Sequence, residues 1–202
     1  MEKVQDNIKG LISRKKKGAL MFTSDFRGMG TETAIKKALS RLAQTGEVKR
    51  LAHGIYYIPK IDPVLGELYP GAEEVAMMLA KKERVRIRPA GAYALNKLGL
   101  STQVPTRLVY ITDGPPRKLK IGKLEVRFKA TSHKKLATTG EISALVIQAL
   151  GELDVKYIDP ETRAKIRGML LKEDPKKLKH DLGLAPVRVH DYIVKLLNTD
   201  KE

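Results

Sequence analysis

The chain has 202 residues, room for one large or two small domains with real cores. It holds no cysteine, which excludes disulfides and thiolate zinc sites, and no apolar run approaches the ~20 residues of a membrane span, so a cytoplasmic, non-membrane protein is expected. Its 39 Lys+Arg against 23 Asp+Glu leave a net charge of +16, an excess that favours polyanionic partners, the bland alternative being a merely basic surface.

The elements follow in chain order. Val4, Ile8, Leu11 and Ile12 share a helical face, predicting a first helix over Glu2–Arg14, with Lys15–Lys17 suiting its C-terminal dipole and Gly18 ending it. Ala19–Phe22 reads as a brief strand. Thr23 or Ser24 is expected to cap a short helix through Arg27, and Gly28-Met29-Gly30 reads as a tight turn. Thr31 is a good N-cap for a helix over Glu32–Gln44, whose Ala34, Ile35, Ala38, Leu39 and Leu42 form one apolar stripe before Gly46. Glu47–Leu51 and Ile55–Ile58 around Ala52-His53-Gly54 predict a hairpin, with one of Tyr56 and Tyr57 in the core, and Lys60–Pro63 reads as a linker. Helix, short strand, helix, turn, helix and hairpin is the order of a winged helix-turn-helix.

Beyond it come a helix at Ala72–Glu83, a strand at Arg84–Arg88 and a helix at Ala90–Leu98 closing on Gly99. A strand follows at Arg107–Thr112, then a hairpin of Arg117–Ile121 and Leu124–Lys129. Helices at Glu141–Leu153, Thr162–Glu173, Lys176–Leu182 and Val187–Asn198 complete the chain. The fold class is α+β: an N-terminal winged helix-turn-helix over 1–60, a mixed α/β domain over 61–155 and a helical C-terminal tail over 156–202.

Candidate chemistry concentrates in the third helix. With its apolar stripe inward, Thr33, Lys36, Lys37, Ser40, Arg41 and Gln44 point outward. Arg and Gln can read guanine and adenine edges bidentately in the major groove, while Lys bonds guanine singly or holds phosphate. Lys49, Arg50 and His53 on the hairpin are candidates for backbone or minor-groove contact, although His53 is equally well a turn residue. Residues 1–60 carry 13 Lys+Arg and 5 Asp+Glu, half the excess charge in under a third of the length. The expected partner is double-stranded DNA; a winged helix used only for protein interaction is the alternative. A second basic patch joins Arg117, Lys118, Lys120, Lys123, Arg127 and Lys129, with Lys134 and Lys135 beyond, and Glu125 is its only acid. It is either a second polyanion contact or a lysine-protected edge hairpin.

No catalytic, cofactor or metal site is expected. His53, His133, His180 and His190 show no ligand spacing, and His190 in an apolar helix reads as structural. There is no Walker motif and no GxGxxG. The one nuclease candidate, Asp113 with Glu125 and Arg127, carries Arg where a general base needs Lys.

The wing Val48-Lys49-Arg50-Leu51-Ala52-His53-Gly54-Ile55-Tyr56-Tyr57-Ile58-Pro59 resembles the wing of AbiEi-type antitoxins of type IV toxin–antitoxin systems, an abortive-infection family. Arg88-Pro89-Ala90-Gly91-Ala92-Tyr93-Ala94-Leu95 with Gly99-Leu100 is similar to the start of that family's second domain. Leu108–Thr112, Gly114-Pro115-Pro116-Arg117, Ile121-Gly122 and Val126-Arg127-Phe128 resemble its strand and basic hairpin. The likeness spans about Gly18 to Leu150, and His53 stands where the family usually has Arg. It implies a promoter-binding autorepressor, perhaps two copies per operator, whose second domain counters a nucleotidyltransferase-like toxin without a stable complex. The alternatives are a winged-helix regulator with no toxin, whose second domain senses a ligand or partner, and, least favoured, a metal-dependent nuclease.

Overall fold

A computed structural model describes residues 2–198, and the chain divides into two compact units, Met1–Leu79 with Leu119–Lys123, and Ala80–Lys118 with Leu124–Glu202. Among the described residues no helix is long and apolar enough to cross a membrane.

The first unit opens with α1 (Glu2–Ser13), which stops before the three lysines. Gly18 does not end this helix. It lies in the turn that follows, at φ 83°, and its N–H donates to the Ile58 carbonyl at 2.8 Å. Next come β1 (Leu20–Phe22) and a single 3-10 turn, Thr23–Phe26. Neither Thr23 nor Ser24 caps that turn: the Asp25 carboxylate reaches back to accept the Phe22 N–H at 2.7 Å. α2 (Glu32–Gln44) has the expected limits, and the Thr31 hydroxyl accepts the Ala34 N–H at 3.3 Å. β2 (Lys49–Ala52) and β3 (Ile55–Tyr57) form the wing.

The sheet order is β1-β3-β2, all antiparallel, with Leu20 opposite Tyr57 on one side and Arg50 opposite Tyr56 on the other. A bulge between Arg50 and Ala52 tightens the approach to the turn, where Gly54 takes φ 71°, a left-handed conformation that a side chain would strain. Ile8, Ile12, Met21, Phe26, Ile35, Leu39, Leu42, Val48, Tyr56 and Ile58 close one core, so α1, α2 and the sheet are mutually dependent.

Two expectations fail here. Lys60–Pro63 is not a linker: β4 (Lys60–Asp62) pairs antiparallel with β5 (Gly66–Leu68), and Asp62 closes the turn by accepting the Val64 and Leu65 N–H groups at 2.9 Å each. Tyr56 and Tyr57 are both buried, on opposite faces of β3. Tyr56 enters the main core, whereas Tyr57 packs on Tyr69 with ring centroids 5.7 Å apart and donates to Glu67 Oε1 at 2.7 Å. The second hairpin thus covers a face that alternation alone assigns to solvent.

α3 (Ala72–Glu83) follows, then β6 (Ile87–Pro89), α4 (Ala92–Lys97), β7 (Arg107–Thr112), β8 (Arg117–Ile121), β9 (Leu124–Ala130) and a single helical turn, α5 (His133–Leu136). Residues 84–86, expected in a strand, precede it, because Arg84 takes a left-handed φ of 56°. The sheet order is β6-β7-β9-β8, with β7 and β9 parallel, Arg107 opposite Glu125 and Thr112 opposite Ala130. α6 (Glu141–Glu152), a 3-10 turn (Val155–Tyr157), α7 (Pro160–Leu170), α8 (Pro175–Leu184) and α9 (Val187–Asn198) complete the described chain. Val146, Ile147 and Leu150 of α6 share a core with Ile166, Leu170, Val189, Ile193 and Leu196. The terminal helices are therefore built into the second unit's interior rather than trailing from it.

Two carboxylates fasten that unit at the start of α6. Buried Asp181 accepts from Ser143 Oγ at 2.6 Å, Thr139 N–H at 2.7 Å and Gly140 N–H at 2.9 Å, with His180 Nδ1 also at 2.9 Å. Glu173 accepts the Ile142 and Ser143 N–H groups at 2.8 and 3.1 Å. Anions here satisfy orphan donors and the positive end of the helix dipole. A Cβ at Gly140 would collide with Ser143 and the Glu173 carboxylate, so this close approach requires glycine. Burial pushes the Asp181 carboxyl up, but the bonds from Ser143, His180, Thr139 and Gly140 outweigh it and hold the acid below its ordinary range. Glu173 is depressed for the same reason, its backbone donors outweighing the desolvation.

Candidate nucleic-acid interface

The apolar stripe of α2 fixes which residues face outward. Ile35, Ala38, Leu39 and Leu42 are buried, so Thr33, Lys36, Lys37, Ser40, Arg41 and Gln44 are all exposed. Thr33, Lys37, Ser40 and Gln44 step by four, three and four residues, a single ridge with Arg41 beside it. Among the described residues, no carboxylate pairs with Lys37 or Arg41. Lys36 differs: its Nζ lies 2.5 Å from Glu32 one turn earlier, and this lysine depresses the Glu32 carboxyl.

The wing divides its three candidates. Arg50 and His53 are exposed at the turn, and Arg50 Nη2 lies 3.1 Å from His53 Nδ1. A guanidinium only donates, so Nδ1 accepts and the imidazole proton sits on Nε2, directed away from the arginine. Lys49 is engaged instead in an internal cluster, paired with Glu67 and 5.8 Å from the Tyr69 ring. Glu67 is held down by Lys49 first and by Tyr57 second, Lys49 is raised by Glu67, and burial drives the Tyr57 hydroxyl upward, so the cluster keeps a charged pair under two neutral phenols. Arg27 is a residue the sequence reading passed over. It is exposed in the turn entering α2 and close enough to Glu32 to act on its charge. An arginine immediately before a glycine-rich turn was the available signal.

The second basic cluster is not one set. Lys118 and Lys120 share one side of β8 and are exposed, as is Lys123 in the turn, while Arg117 alternates to the other side. Arg117 forms a bidentate pair with Glu83 and lies 5.5 Å over the Phe128 ring. On β9, Arg127 is half-buried and Lys129 exposed; Lys134 and Lys135 are exposed on α5.

The nuclease candidate does not assemble. Glu125 pairs with Arg107 Nε at 2.7 Å at one end of the β7–β9 ladder. Asp113 lies beyond the last rung, roughly 20 Å along the strands at ~3.3 Å per residue. Its carboxylate accepts the Arg86 N–H at 2.7 Å and Arg86 Nε at 2.8 Å, which hold it below the ordinary range. Among the described residues no three His, Asp or Glu side chains converge as metal ligands would.

By its fold the first unit is a winged helix, with a recognition-type helix and a wing presented by a three-stranded sheet. The chain belongs to a family of unknown function, DUF6088, whose model matches residues 7–178. No curated protein matches it. Among solved structures, the chain is similar to the crystal structure of the RV2827C protein from Mycobacterium tuberculosis, at 15% identity and a TM-score of 0.49, covering 100% of this chain and 77% of that one.

Proposed function

We propose that this chain is a non-catalytic, cytoplasmic double-stranded-DNA-binding protein that inserts α2 into the major groove and lays Arg50 and His53 against the adjacent backbone. The observation that carries the reading is the unpaired ridge of Thr33, Lys37, Ser40, Arg41 and Gln44 on an otherwise fully packed helix. Long cationic side chains held apart from carboxylates remain available to phosphates and base edges. The resemblance to AbiEi-type antitoxins extends the proposal to autorepression of a toxin–antitoxin operon and to antagonism of a nucleotidyltransferase-like toxin. The order of the wing and second-domain motifs supports that extension.

The test is binding to the DNA upstream of the chain's own gene against a scrambled duplex, at two salt concentrations. The reading expects specific binding whose log K falls with log salt at a slope of about −0.9 per phosphate contacted. Equal, weak binding to both duplexes would overturn it. The toxin extension stands or falls separately, on rescue of growth when this chain is co-expressed with a nucleotidyltransferase encoded next to it.

A further inference from the structure

The second unit holds a cavity of ≈ 560 Å³ between the Val155–Tyr157 turn, α7 and α9. Lys156, Arg163, Arg167 and Lys195 line it, and no acidic side chain does so among the described residues. Four like charges around one concavity repel one another, and the low-dielectric walls strengthen the field they create. An anion inside relieves that repulsion. Arg163 is set for such a role: its Nε donates to the Ile158 carbonyl at 2.8 Å, which fixes the guanidinium and leaves the terminal nitrogens without a partner among the described residues.

A second observation points the same way. The Tyr192 hydroxyl is buried at this cavity and makes no hydrogen bond, an arrangement that leaves a desolvated donor unused. Burial raises its acidity constant, so at neutral pH the group remains a donor rather than an anion. The ring of Tyr192, with Ala164 and Leu196, supplies an apolar wall, and the volume falls within the range of small-molecule sites.

We propose that this cavity binds a nucleoside polyphosphate, its phosphates among Lys156, Arg163, Arg167 and Lys195 and its ring against Tyr192. This does not rest on the DNA-binding reading, since every lining residue belongs to the second unit. Binding there would make the chain a nucleotide-responsive protein.

The experiment is calorimetric titration of the full chain with ATP and GTP, and in parallel with sodium tripolyphosphate and adenosine. Saturable one-to-one binding of a nucleoside triphosphate is expected, weaker binding of tripolyphosphate and none of adenosine. Lys156→Glu, whose side chain is exposed and bears no fold contact, should weaken nucleotide binding about tenfold or more, the scale of one charged hydrogen bond. Tyr192→Phe should weaken it several-fold without lowering the melting temperature, because it removes an unsatisfied hydroxyl. The double variant Lys37→Ala/Arg41→Ala on α2 should bind nucleotide normally. Absence of saturable binding, unchanged binding by Lys156→Glu, or equal loss in the α2 variant overturns the proposal. So does a result in which Lys156→Glu weakens DNA binding instead, which would make the cavity part of a nucleic-acid surface.

Discussion

The winged helix and the second unit use charged side chains in opposite ways. On α2, Lys37 and Arg41 stand exposed with no carboxylate against them, and the core beneath is entirely apolar apart from tyrosine. In the second unit the arginines of the sheet region are tied down: Arg86 to Asp113, Arg107 to Glu125, Arg117 to Glu83. Its interior is pinned by the carboxylates of Asp181 and Glu173 on the start of α6. The two stretches carry equal excess charge, yet only pairing separates cations available to a partner from cations that hold the fold. The cavity beside α7 is the exception in the second unit, which is why it is singled out.

The harshest way to break this contrast is to remove its internal fastener. Asp181→Ala leaves three buried donors at Thr139, Gly140 and Ser143 without their acceptor, and a loss of about 3–5 kcal/mol is expected in urea denaturation. Gly140→Val should act in the same direction by displacing Glu173. Operator binding measured below the transition should survive both. Acid should act on the same elements. Asp181 and Glu173 have folded-state constants below their unfolded values, so their contribution is fully present above the unfolded range near pH 4 and is lost as pH falls through the depressed folded values. A wild-type melting temperature that drops below about pH 4 faster than that of Asp181→Asn checks the sign.

On the winged helix the effects should appear in binding, not stability. Arg41→Ala is expected to cost about 1–3 kcal/mol of operator affinity if it reads a base, with relaxed preference at one position. Lys37→Ala should weaken binding to all sequences and reduce the salt slope by about one. Both side chains are exposed, so their melting curves should match wild type. Unchanged binding in both variants would remove α2 from the interface.

The winged helix was legible because its signals are local: the Thr31 cap, the 3.6-residue stripe from Ile35 to Leu42 and the Gly54 turn lie within short windows. What escaped was decided by distant partners. The β4–β5 hairpin depends on Glu67 meeting Tyr57, which no short-range pattern encodes. The parallel pairing of β7 with β9, and the separation of Asp113 from Glu125 that follows from it, depend on the register of strands joined through β8. Arg117 read as a surface cation because its partner, Glu83, lies 34 residues earlier. Charge identity is written in the sequence, but its neutralisation is a property of the fold.

The finest test of the contrast is inside the wing, where adjacent residues should behave differently. Lys49 is committed to Glu67 and Tyr69, whereas Arg50 faces solvent beside His53. Lys49→Met keeps the aliphatic stem and removes only the charge, so it should cost at most about 1 kcal/mol of stability, the scale of an exposed pair, and leave operator affinity within twofold. Arg50→Ala should leave stability unchanged and weaken DNA binding several-fold, more so at low salt. If Lys49→Met proved the more damaging to DNA binding, the cluster around Glu67 would itself be part of the interface, exchanging its carboxylate for a phosphate when DNA arrives.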